Sequence, residues 1–240
     1  MSKSDKDLES RTVANSSLQQ SSFVFFPEEE KIRRQLLQNP KQTLQAAEEA
    51  LLKQAKKIAD WKLCLAECFK IAVAATEKLA PEAKSFAENL PQSVFGVGNG
   101  TEFLLPLDRL FECVRTTEAV LDGVILKLDP FLLPDLFDPS RFAFLESVLP
   151  QTKIATRAEE IGAKGKMICA AAKDFSARIE VFLSTVIQPF VMQAAKAANV
   201  DHDGNNMRFG TLCALCGELQ SAAGVFTIEW NEQAQKIGAI

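Results

Sequence analysis

Tyrosine is absent from this 240-residue chain, and histidine occurs once, at His202. A single imidazole cannot build a multi-histidine metal centre. A Cys–His nucleophilic pair would need His202 to fold back onto one of six scattered cysteines, which nothing in the sequence suggests. No uninterrupted apolar run approaches the roughly 20 residues that cross a bilayer. The opening MSKSDKDLES is polar and acidic with no apolar segment, so no secretory signal is expected.

Phosphate and calcium loops are missing too. Gly96-Val97-Gly98-Asn99-Gly100 is not followed by Gly-Lys-Ser/Thr and lacks the dinucleotide-binding spacing, so it reads as a hinge or turn. Asp201-His202-Asp203-Gly204-Asn205-Asn206 places glycine fourth where a calcium loop needs it sixth. Leu212 then stands where a bidentate glutamate is required, and a turn between helices is the better reading. Cys213 and Cys216 form a CxxC on an apolar helical face with no βαβ pattern around it. Joined with Cys64 and Cys68, one turn apart on another helix, they make a four-thiolate zinc site conceivable. Buried, reduced structural thiols are the simpler reading of all six cysteines, the other two being Cys113 and Cys169. No catalytic residue, cofactor or metal is expected, and the chain reads as a non-enzyme.

What the sequence does contain is a sustained seven-residue period. Leu44, Leu51, Ile58, Leu65, Ala72 and Leu79 stand seven apart, and Ala47, Trp61, Cys68 and Ala75 follow members of that series by three, interrupted by Gln54. A second stretch runs Ile154, Ile161, Ile168, Phe175 and Phe182, interleaved with Ala158, Gly165, Ala172, Ile179 and Val186. Such a period asks for long helices packed along narrow seams, each roughly 50 Å long at 1.5 Å per residue. The expected fold is all-α: an elongated helical bundle with long antiparallel, coiled-coil-like helices.

Residues 1–22 hold seven serines and few apolar residues, and read as a disordered polar tail; residues 23–240 read as a single helical-bundle domain. Phe23, Val24, Phe25 and Phe26 lead that domain. They are expected to fold back onto the bundle, with a docking motif or membrane wedge as the alternative. A short helix over 28–38 should stop at Asn39-Pro40, and the first heptad helix should run over 41–79, with Pro81 opening a further short piece. Thr101 is a candidate cap for the next helix, and the prolines of 130–150 should break that segment into short turns. The second heptad helix is expected over 151–198, kinked at Pro189, and a last helix over 207–236.

Charge is unevenly spread. Residues 31–81 carry ten Lys and Arg against five Asp and Glu, and 150–200 carry seven against four, whereas 82–149 carry five against eleven. The heptad helices are therefore the basic elements of a chain whose net charge is −4. Their charges either complement acidic neighbours within the bundle or form a face for an anionic surface. Lys53, Lys56 and Lys57 form the densest cluster, with Leu51 and Ile58 turned inward.

The architecture resembles crescent-shaped helical dimers that bind membranes through a basic face, a likeness of shape that no motif carries. It implies a helical scaffold or interaction module; the reduced cysteines and the lack of a signal segment point to the cytoplasm, with signal-less secretion kept open. The expected partners are a second copy or another protein, or an anionic membrane surface; nucleic acid is disfavoured by the acidic balance. An exported effector or pore-forming helical toxin is the alternative, and a carrier or enzyme with a cavity between helices a further one. Ile168→Asp should lower stability by several kcal/mol in thermal unfolding, because it places an unpaired charge in the seam. Sedimentation at rising concentration should show mass increasing towards a dimer.

Overall fold

The computed structural model describes residues 31, 32, 34, 35, 38–95, 104–132, 139–198 and 205–239, and all its regular elements are helical. In chain order they are α1 (Pro40–Phe95), α2 (Leu104–Leu132), α3 (Ala143–Val148), α4 (Ile154–Phe182), a π-helical turn (Leu183–Ile187), α5 (Gln188–Ala198) and α6 (Asn205–Ala239). The expectations for residues 1–22, Phe23 to Phe26, Gly96 to Gly100, Thr101 and His202 fall outside the described residues. The chain divides into two compact units. One takes the described residues up to Glu49 with Ser140–Ala155, and the other takes Ala50–Pro139 and Thr156–Ile240.

In the first unit, the proline-rich corner from Ser140 on falls into the expected short pieces, whereas Pro130 does not break the chain but lies inside α2, which runs on to Leu132. A 3-10 turn at Pro139–Phe142 leads into α3, and a second at Pro150–Thr152 precedes α4. Ala47, Phe142, Leu145 and Ile154 are the buried apolar side chains described in this unit. Lys153 takes a left-handed backbone with φ 49°, which turns the chain into α4. The Glu146 carboxylate accepts a hydrogen bond from the Ala155 N–H at 2.7 Å, so a negative charge meets the positive end of α4.

The second unit is a helical bundle whose directions follow from its contacts. Trp61 meets Phe131 edge-on at 5.5 Å, and the Thr117 hydroxyl reaches the Ala75 carbonyl at 3.4 Å, so α2 runs antiparallel to α1. Thr227 donates to Thr76 at 2.8 Å, and Lys62 Nζ donates to the Gly238 carbonyl at 3.0 Å, so α6 is also antiparallel to α1. Between them lies an aromatic cluster. Phe69 stacks on Phe175 at 3.9 Å, and Trp230 takes Phe175, Phe182 and Phe226 around its ring at 5.3 to 6.0 Å.

Burial follows the seven-residue period. Leu51, Leu65, Ala72, Leu79 and Cys68 are buried on α1, and Ile168, Ala172, Phe175, Ile179 and Phe182 on α4. Two features differ from expectation. First, α1 does not end near Leu79 but continues to Phe95 through Pro81. Pro81 and Glu77 are both exposed, so the carbonyl that loses its helical donor faces water and the break is tolerated. Second, the seam of α4 changes phase. Val186 was expected inside, yet it is half-buried while Ile187 is fully buried, followed by Phe190 and Ala194.

The π turn explains that shift. The Gln188 N–H donates to the Leu183 carbonyl, five residues back, which inserts one residue into the helical count. Every inward position after it therefore moves on by one. Pro189, which has no N–H to give and would crowd the preceding turn of a regular helix, follows just after this wider turn, and the Thr185 and Ser184 hydroxyls both donate to the Val181 carbonyl, at 2.7 and 3.2 Å.

By length and composition alone, Ile154–Ala197 and Gly210–Gly238 are long and apolar enough to cross a membrane. Charged residues interrupt both ranges, among them Arg157, Lys164, Lys173 and Arg178 in the first and Glu218, Glu229 and Glu232 in the second, so no continuous apolar run announces them. The most apolar stretch of α6 is only 28% buried.

Trp230→Ala should cost about 3–5 kcal/mol in chemical unfolding, since it empties the centre of the aromatic cluster. Thr227→Val should cost less than about 1 kcal/mol, because Thr76 keeps its bonds to the Ala72 and Val73 carbonyls.

Candidate functional site

The lysine cluster on α1 divides in the folded chain. Lys53 and Lys56 are exposed and form no ion pair among the described residues. Lys57 is half-buried, and its Nζ lies 4.8 Å from the centre of the Trp61 ring. That ring is braced by Phe131 of α2, so the indole is a fixed platform and the ammonium above it gains a cation–π contact. Spacing alone could have revealed this pair, because residues four apart stack on one helix face.

A second helix adds charge near the same place. Cys169 of α4 is buried, and the charges of Lys173 on its own helix and Lys57 on α1 both act on it. Burial nevertheless dominates and raises the Cys169 pKa, with Lys173 and then Lys57 opposing it. Lys164, Lys166 and Lys173 are exposed on α4. Sequence reasoning did not join Lys173 to the α1 cluster, because only tertiary packing brings the two helices together. One cross-helix ion pair lies elsewhere on α4, between Arg178 and Glu229 at 3.3 Å, with both side chains more than a third exposed; such a pair contributes little.

The cysteines do not converge. Cys64 and Cys68 lie one turn apart on α1, whereas Cys213 faces the Ala87 carbonyl at 4.0 Å. Ala87 stands about 34 Å along α1 from Cys64, at 1.5 Å per residue, so the two cysteine pairs cannot share one ion. All six thiols are free, and no cluster of three metal-ligating side chains occurs among the described residues. Burial first, then Cys64, pushes Cys68 up to about 11 against a weaker pull from Lys127. Burial, helped by Cys213, pushes Cys216 up to about 12, and burial also raises Cys113.

An open groove of about 920 Å³ lies between α1 and α2, floored by Ile71, Ala75, Cys113, Thr117 and Val120 and rimmed by Lys78, Glu82, Arg109 and Glu112. Its one thiol has a raised pKa, and of its two hydroxyls that of Thr117 donates to the backbone carbonyls of Cys113 at 2.9 Å and Ala75, while that of Thr116 is on an exposed residue. No family model, curated protein or solved structure matches this chain, so the functional reading rests on its own residues.

The thiol shifts have a definite sign. A thiol whose folded pKa is raised favours the fold below its unfolded value, near 9.0, and loses that contribution as pH climbs through the folded value. Thermal stability should therefore fall between about pH 9 and pH 11 to 12, and Cys216→Ala should flatten the upper part of that fall. Alkylation of the native protein at neutral pH should spare Cys68 and Cys216, as read by mass spectrometry.

Proposed function

We propose that this protein is a non-enzymatic helical scaffold that meets an anionic membrane surface through the basic side of α1 and α4. One observation carries the reading: Lys53 and Lys56 are exposed with no ion pair among the described residues, while their neighbour Lys57 shares the surroundings of Cys169 with Lys173. Charges consumed in pairs within the fold would have little left for a surface. Each free lysine near an anionic bilayer contributes about 1 kcal/mol, and the attraction fades within a Debye length, about 8 Å at physiological salt.

The test is co-sedimentation with phosphatidylserine vesicles at low and physiological salt. Lys53→Glu with Lys56→Glu should weaken binding at least about 30-fold, from the loss of about 1 kcal/mol per lysine. Lys57 is left unchanged in this variant, because Trp61 holds it. Equal binding by both proteins, or none by the wild type at low salt, overturns the proposal.

A second reading has its own observation. The apolar length of Gly210–Gly238, little of it buried, suits a helical protein that moves apolar helices into a bilayer. Dye release from vesicles separates the two readings: a surface scaffold leaves vesicles sealed, and a pore former empties them.

A further inference from the structure

α1 carries a second seam on its outward side. Leu52, Lys56, Ala59, Leu63, Ala66 and Lys70 follow one another by four and three residues, so they form one stripe along the helix. Ala66 is half-buried and the other five are exposed. Leu52 is 61% exposed and Leu63 70%, the latter the highest value among the large apolar side chains of the described residues. A leucine gains nothing for the fold at such a position, and two of them lie about 16 Å apart on the helix that carries the free lysines.

We infer that this stripe is an interfacial insertion edge, in which Leu52 and Leu63 enter the acyl boundary of an anionic bilayer while Lys56 and Lys70 reach the phosphates. The inference rests on the membrane reading above and names how that surface is held. The lysines decide between a bilayer and another helix. On the midline of a helix–helix seam, Lys56 and Lys70 would have to bury their ammonium groups, which is costly without partners. At a bilayer, a lysine lays its methylene stem along the apolar boundary and lifts its charge to the headgroups, so leucine and lysine on one stripe cooperate.

Acidic residues limit the electrostatic part. Asp60 and Glu67 are exposed along one border of the stripe, beside Lys53. Net attraction from α1 is therefore modest, and the leucines must supply the portion that survives screening. Charge brings the helix to the membrane, and apolar insertion keeps it there as salt rises.

Co-sedimentation of the full chain with phosphatidylserine-containing and phosphatidylcholine-only vesicles tests this. Leu52→Ser with Leu63→Ser should bind about tenfold or more weaker than the wild type at low and at physiological salt alike, since each leucine forfeits apolar transfer that salt does not screen. Leu126→Ser, at an exposed leucine of α2, should change neither value and controls for general loss of apolar surface. Unchanged thermal unfolding of the double serine variant shows that the fold is intact. Equal binding by the double variant and the wild type at both salts overturns the insertion edge while leaving the lysine reading intact. Loss of binding with the lysine variant alone overturns it in the same way. If the double variant instead turns a sedimenting dimer into a monomer, the stripe belongs to a second helix and the inference fails.

Discussion

Everything in the larger unit hangs on the aromatic contact that joins three helices at Trp230. Its ring takes Phe175 and Phe182 from α4 and Phe226 from its own helix, and Phe175 passes the contact to Phe69 of α1 through a stacked pair. Large rings bury more apolar area than any aliphatic pair and hold one another at restricted angles, so the cluster sets spacing as well as cohesion. The buried indole N–H finds no partner among the described residues, so the cluster carries one unsatisfied donor whose desolvation cost its apolar contacts must outweigh. Directional polar contacts lie to the side of it. Thr76 with Thr227, and Thr117 with Ala75, fix how far α6 and α2 can slide along α1.

Much of this arrangement was legible in the sequence because a seven-residue period is a statement about faces. Leu51, Leu65, Ala72, Ile168 and Phe175 are buried where the period places them. The misses have physical causes. Pro81 reads as a breaker, but a proline on the wet side of a long helix deprives only a carbonyl that water can satisfy. Val186 reads as a seam residue because an unbroken 3.5 period was carried through a turn that is not α-helical. At the candidate site, the cluster on α1 was visible as composition and the Lys57–Trp61 pair as a four-residue step, whereas the bracing of that ring by Phe131 of α2 was not, because only tertiary packing supplies it.

The functional reading grows from side chains the fold does not use. A core needs the inward seam of α1, and helix propensity alone would accept any soluble residue outside it. Finding leucine and lysine repeated there at seam spacing is therefore informative about a surface in a way that the buried residues are not. The same logic sets Cys68, Cys113, Cys169 and Cys216 aside: burial raises their thiols and keeps them protonated, which suits packing and disfavours nucleophilic chemistry at neutral pH.

The π turn at Leu183–Ile187 leaves a mark on how this chain must be compared with others. Residues before it and after it obey the same inward pattern, offset by a single position. A homologue whose helix lacks that extra residue would superpose on both flanks yet align only if a one-residue gap opens between Phe182 and Gln188. An alignment that refuses the gap would set Phe190 and Ala194 against outward positions, and would misread a shared core as divergent sequence.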